Sequence, residues 1–208
     1  MRALAPLLIA AAAAWPVRAA DLVVSLTTAA GKPVANAVVI VHPQAGAPRG
    51  PIRFPWPMSM AQKDMQFEPF VLIAPVGAEV SFPNLDPFRH HVYSFSKAKT
   101  FELKLYSRDE ARSVRFDKPG VVVLGCNIHD SMSAYIRVVD TPFAAKSNAA
   151  GEVVIHDLPT GAATLTLWQP FLKARDGEES REITVPSTGL RLALTADLRN
   201  APLRRGGY

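Results

Sequence analysis

Residues 121–132 read VVVLGCNIHDSM. The apolar run Val121-Val122-Val123-Leu124 reads as a strand. At its end Cys126, the only cysteine among 208 residues, is followed by His129 three positions on and by Met132 six positions on. A thiolate, an imidazole and a thioether sharing one short loop are three of the four ligands of a mononuclear copper electron-transfer site, which sets two histidines and a cysteine around the metal with a weak methionine. A continuous helix would also bring Cys126 and His129 to one face. Gly125 and the valine run before it argue instead for a strand that ends in a curling loop. The segment thus decides for β structure and asks for a second histidine elsewhere.

Working outward, Pro83-Asn84-Leu85-Asp86-Pro87-Phe88-Arg89 is a proline-framed turn that delivers the chain to His90-His91-Val92-Tyr93-Ser94-Phe95. Strand alternation puts His90, Val92 and Ser94 on one face and His91, Tyr93 and Phe95 on the other, so only one of the two histidines enters the interior with Val92. Phe101 to Tyr106 alternates apolar and charged residues and reads as a half-buried strand. Ser113 to Phe116 leads through Asp117-Lys118-Pro119-Gly120 into Val121 to Leu124, whose unbroken apolarity predicts a strand covered on both faces. Ala134 to Val139 is a closing strand.

Upstream, Asp21 to Thr27 and Val34 to His42 are β-branched runs around the turn residues Gly31-Lys32-Pro33. Residues 44–60 form a long Pro-, Gly- and Ala-rich loop. Met58 and Met60 within it read as packing against Trp56 in preference to a soft-metal site. Phe70 to Ile73 and Glu79 to Phe82 are short strands around Pro75-Val76-Gly77. Beyond Thr141-Pro142 the texture stays β-like but carries no ligand cluster: Phe143 to Lys146, Glu152 to His156, Ala163 to Trp168, Glu182 to Val185 and Leu190 to Leu194 are strand candidates. His156 reads as an edge histidine and Trp168 as a core aromatic.

Eighteen prolines and twelve glycines spread along the chain, with no sustained helical period, make it essentially all-β. Arg2 followed by the apolar stretch Ala3 to Ala14 and the small residues before Ala20 reads as an export leader over residues 1–19. No later segment is long and apolar enough to span a membrane, so the expected setting is soluble and extracytoplasmic, best a bacterial periplasm. In that oxidising space a lone cysteine has no disulfide partner, which favours a ligand role for Cys126. Loss of Arg2 and Arg18 with the leader takes the formal charge from +5 to +3. This mild basicity, without a basic repeat, excludes a nucleic-acid role and leaves at most a bias toward an acidic partner. Residues 199–208 read as a tail.

Asn84-x-Asp86, His90-x-Val92, Gly120 and Cys126-x-x-His129-x-x-Met132 together resemble the cupredoxins, plastocyanin and amicyanin among them, with amicyanin's ligand-loop spacing. The strings FPNLDPFRHHVYSFSKAKTFELKLY and FDKPGVVVLGCNIHDSMSAYIRVVDTPF are similar to periplasmic proteins catalogued as methylamine utilization proteins. Residues 22–43 and 149–170 resemble the small β-sandwich of carboxypeptidase regulatory-like domains.

The resemblance implies a cupredoxin-like Greek-key β-sandwich over residues 20–140. A regulatory-like β segment over 141–198 is then free to pack with strands from 21–42. It implies one type 1 copper per chain, held by His90, Cys126, His129 and Met132. His91 falls where many cupredoxins have an asparagine that hydrogen-bonds across the ligand loop. His129 would reach the surface ringed by Pro87, Phe88 and Ile128. The function implied is single-electron transfer between periplasmic redox partners. A copper carrier or storage protein would use the same ligands, and a β-sandwich binding module would use none. Nothing in the chain supplies a catalytic triad, paired carboxylates or a second copper cluster, so no enzyme activity is expected.

Overall fold

The structure, a computed structural model, describes residues 19–108, 110, 112–129 and 131–200. The expected leader and tail lie largely outside them. The all-β reading holds: sixteen strands and one short 3-10 turn make up the regular structure of the described residues. In chain order the strands are β1 (Ala19–Thr27), β2 (Val38–Pro43), β3 (Ala61–Lys63), β4 (Gln66–Glu68), β5 (Val71–Pro75), β6 (Ala78–Ser81), β7 (His90–Ser96) and β8 (Lys99–Tyr106). They continue as β9 (Ser113–Phe116), β10 (Gly120–Cys126), β11 (Ser133–Val139), β12 (Ala144–Lys146), β13 (Glu152–Pro159), β14 (Gly161–Trp168), β15 (Glu178–Val185) and β16 (Leu190–Thr195).

Three sheets stack with three apolar cores. The sheet β13-β1-β16 faces the sheet β12-β2-β14-β15 across a core of Leu22, Val24, Leu26, Val39, Val41, Leu165 and Leu167. The second sheet turns its other face, with Val38, Ile40 and Trp168, onto Val71, Ile73 and Val139 of the sheet β5-β11-β10-β7-β8. That third sheet closes over Met60, Phe67, Val80, Phe82 and Phe116, which come from the β3-β4 and β6-β9 pairs and their flanks. β1 therefore pairs antiparallel with β13 and parallel with β16, and β2 pairs with β12 and β14, so the N-terminal strands hydrogen-bond with C-terminal ones. One glycine is required where they meet: Gly151 has φ +76°, and a Cβ there would stand 2.2 Å from the Leu26 carbonyl oxygen.

The layering explains which apolar runs are buried twice. Val38 and Ile40 face one core while Val39 and Val41 face another, and in β5 Leu72 and Ala74 oppose Val71 and Ile73 in the same way. Such strands need no polar alternation. The run Val121 to Leu124 is not of this kind: Val122 and Leu124 are buried, whereas Val123 is 45% exposed, since among the described residues no layer covers that part of β10.

The alternation of Phe101 to Tyr106 also breaks. Register along the β7-β8 ladder shifts by one residue between His90 and Val92, pairing His90 with Tyr106 but Val92 with Leu103. A one-residue bulge flips every following side chain to the opposite face. Leu105 is accordingly turned out at 45% exposure, and Tyr106 is driven fully into the core. Its hydroxyl there sits between the Gln62 side-chain oxygen and the Phe82 carbonyl.

Met60 is fully buried with Met58 and Trp56 packed around the same core, and Trp168 is buried. His156 lies on the surface with Nδ1 3.1 Å from Asp21.

Candidate metal centre

The turn that ends in His90 is built by buried polar groups. Asn84, fully buried, donates from Nδ2 to the carbonyls of Phe88 (2.7 Å) and Tyr106 (3.2 Å) and accepts from the Asp86 backbone N–H (2.9 Å). This fixes the chain direction into β7 and leaves the Asp86 carboxylate pointing inward. Asp86 accepts the backbone N–H groups of Asp64 (2.7 Å) and Met65 (3.1 Å). Both of those residues have positive φ and form the two-residue turn of the β3-β4 hairpin. Such a turn ordinarily favours Asn-Gly or Asp-Gly, and here a carboxylate from another segment supplies its hydrogen bonds. The other function of Asp86 is at His90, whose Nε2 lies 2.7 Å from it.

With Nε2 facing Asp86, His90 presents Nδ1 to Cys126 at 3.7 Å. Antiparallel pairing of β7 with β10 sets Cys126 opposite Val92, the residue that shares a face with His90. On the other side, the loop after Cys126 brings His129 Nδ1 to 3.8 Å from the sulfur. These three ligand atoms all lie within 4.8 Å of one another. His90 is fully buried and Cys126 is 3% exposed, while His129 is half-buried. The Met132 N–H donates to the His129 carbonyl at 2.9 Å, which closes the turn and places Met132, 2% exposed, in the core that holds Cys126.

Electrostatics follow from these contacts. Burial pushes the Cys126 thiol up, but His90, the backbone N–H groups of His91 and Ile128, and His129 outweigh it and bring the thiol down to about 6. Burial likewise opposes the charged form of His90, and the Cys126 sulfur with Asp86 reverses that and raises its pKa. Asp86 is held below the usual carboxylate range, burial being overcome by His90 and the two turn N–H groups. Acid, imidazole and thiol form one buried chain in which each stabilises the charge of the next.

His91 lies outside this cluster. Its side chain points to the opposite face of β7, with Nε2 3.0 Å from Glu102 in a contact lacking hydrogen-bond alignment, and its ring is 6.0 Å from Tyr93. Only its backbone touches the site, through the N–H aimed at the sulfur. Phe88 packs on both imidazoles, with ring centroids 5.1 Å from His90 and 5.6 Å from His129. Phe88, Leu85 and Ile128 are 40–48% exposed, and Pro87 is exposed beside them. Two residues take roles that the sequence did not assign to them. Asp86 was visible as an acid four residues before a histidine. Tyr93, whose ring covers Gly125 so closely that a Cβ there would lie 2.7 Å from it, left no sequence signal.

The chain is all-β, and solved structures that it is similar to include a purple cupredoxin, amicyanin and a copper-containing nitrite reductase. A purple cupredoxin from Nitrosopumilus maritimus is 19% identical over 39% of this chain and 98% of its own, with a TM-score of 0.36. A reduced amicyanin variant is 22% identical over 40% of this chain and 82% of its own, with a TM-score of 0.37. A copper-containing nitrite reductase from Thermus scotoductus is 27% identical over 56% of this chain and 28% of its own, with a TM-score of 0.39. No protein-family model matches the chain, and no curated protein matches it. Among the described residues no helix is long and apolar enough to cross a membrane.

Proposed function

We propose that the chain holds one type 1 copper ion on His90 Nδ1, Cys126 Sγ, His129 Nδ1 and the Met132 thioether, and that it carries single electrons between redox proteins in the periplasm. The observation that carries this reading is the convergence of two imidazole nitrogens and one thiol sulfur within 4.8 Å at a largely buried place. The donors fit the metal: two imidazoles and a soft thiolate suit both copper oxidation states, and a thioether is a poor ligand for zinc. A thiol with a pKa of about 6 is ready to bind as thiolate at neutral pH.

Bound copper supplies a one-electron couple. The chain's own part is to hold the donors. Asp86 fixes the tautomer and plane of His90, and backbone N–H groups of His91 and Ile128 compensate charge on the sulfur. Phe88 fills the space against both imidazoles. His129 is the more exposed imidazole, flanked by the apolar side chains of Phe88 and Ile128, and offers a partner a short, dry approach. We assign no catalytic residue. The unit that binds copper is the part within residues 20–140 that includes the β5-β11-β10-β7-β8 sheet, and the sandwich of 141–198 with the N-terminal strands is its accessory.

The first experiment is a visible absorption spectrum after loading with Cu(II). An intense blue, green or violet colour that a Cys126→Ser variant loses supports the reading; a colourless wild type ends it. A copper carrier would use the same ligands, but donors this buried and braced favour retention of the metal. Repeated oxidation and reduction with copper retained separates the two.

A further inference from the structure

A cavity of about 410 Å³ opens where the two sandwiches meet, and its walls include Trp56, Pro57, Pro69, Val71, Ile73 and Lys146. It lies between β5 and β12, each the outermost strand of its own sheet. Val71 and Ile73 project away from the core that contains Cys126, so the cavity is separate from the metal centre.

Side chains already cap the strand edge there. The carbonyls of Val71 and Ile73 point away from β11. Lys146 Nζ donates to Val71 at 2.8 Å, and Trp56 Nε1 donates to Ile73 at 2.9 Å. A peptide adding as a further strand would need those same carbonyls, so the cavity suits a small molecule. Its volume falls within the usual range of ligand pockets.

Lys146 supplies the chemistry. An ammonium has three donors, and one is used on the Val71 carbonyl. Among the described residues no carboxylate lies within ion-pair distance of it. Burial alone holds it below the usual lysine range. A half-buried cation with spare donors at the edge of an apolar cavity is complementary to an anionic headgroup on an apolar body.

We propose that this seam binds a small amphiphilic carboxylate, its acid group on Lys146 and its apolar body against Trp56, Pro57 and Pro69. The site is independent of copper and is expected to work in metal-free protein. The test is calorimetric titration of the full chain with sodium decanoate, and in parallel with a cationic amphiphile of equal chain length. Saturable one-to-one binding of decanoate alone is expected. Lys146→Met, checked for folding by circular dichroism, should weaken it about tenfold or more, the effect of removing a charged hydrogen-bond partner. Val71→Phe, which adds bulk to a side chain of the cavity wall and leaves Lys146 in place, should abolish it. No saturation by wild type, equal binding of the cation, or undiminished binding by either folded variant overturns the proposal.

Discussion

His90 Nε2 lies 2.7 Å from the Asp86 carboxylate, and both residues are shielded from solvent at 0% and 4% exposure. The same carboxylate accepts the turn N–H groups of Asp64 and Met65, so one acid ties a hairpin to the imidazole that faces Cys126. Asp86→Ala strands three donors and should destabilise the metal-free protein by about 3 kcal/mol. Asp86→Asn keeps an acceptor and should cost less. Both should weaken copper binding by about 10- to 100-fold, the usual effect of losing a group that orients a ligand histidine. Thermal melts of metal-free protein and competitive copper titrations measure the two effects separately. If Asp86→Ala binds copper with wild-type affinity, Asp86 does not position His90.

The Cys126 thiol gives a pH prediction. Its folded pKa of about 6 lies below that of an unfolded cysteine, about 8.5. A depressed acid contributes stability that is fully present above the unfolded value and is lost as pH falls through the folded one. Metal-free protein should therefore lose this contribution between about pH 8.5 and pH 6. His90 acts oppositely, since its raised pKa contributes below its unfolded value and is lost as pH rises through the folded value. Thiolate absorbance of metal-free protein in the ultraviolet should titrate with a midpoint near 6. Denaturation of the wild type should show a pH dependence that Cys126→Ser lacks. A thiol titrating at its unfolded value would show that the contacts of His90 and the backbone do not form.

The convergence of His90, Cys126 and His129 could be anticipated because two short-range rules suffice for it. Strand parity puts His90 on the face of Val92, and a loop places Cys126, His129 and Met132 together by chain connectivity. What surrounds them depends on long-range geometry. The β3-β4 turn has Asp64-Met65 where a glycine would have announced it, because Asp86 supplies its hydrogen bonds from a distant segment. The bulge that buries Tyr106 and exposes Leu105 leaves the local alternation looking regular. Apolar runs did not reveal which strand lies between two cores: Val38 to Val41 does, whereas Val121 to Leu124 reads the same and has Val123 in solvent. Pairing of β1 with β16 joins the two ends of the chain and leaves no local trace.

Gly125, next to Cys126, is paired with Tyr93 across the β7-β10 ladder. A Cβ at Gly125 would stand 2.7 Å from the Tyr93 ring, which must swing away from the strand. Gly125→Ala should therefore cost about 1–3 kcal/mol, as overpacking does. In a Tyr93→Ala background the same change should cost much less, since the clashing ring is gone. The double-mutant cycle, read by denaturant melts, should give a coupling of about 1 kcal/mol or more. Additive effects would mean that Tyr93 does not pack on Gly125.

Arg137 on β11 reaches across to Glu178 on β15 with Nη1 2.6 Å from the carboxylate, joining the sheet that carries His90 and Cys126 to the second sandwich. The two partners are unequally buried, with side chains 10% and 30% exposed, and among the described residues Arg137 Nε has no hydrogen-bond partner. Removing the acid leaves a buried guanidinium uncompensated, whereas replacing the arginine by an apolar side chain removes the charge that needs compensation. Glu178→Gln should thus destabilise more than Arg137→Met, by about 1–2 kcal/mol, although both delete the same bridge. Chemical denaturation of both variants and the double variant measures the difference. The double variant should recover toward Arg137→Met, because Glu178 is exposed enough to lose its partner at little cost. An equal loss in the two single variants would show that the pair is solvated like a surface ion pair and does not brace the seam.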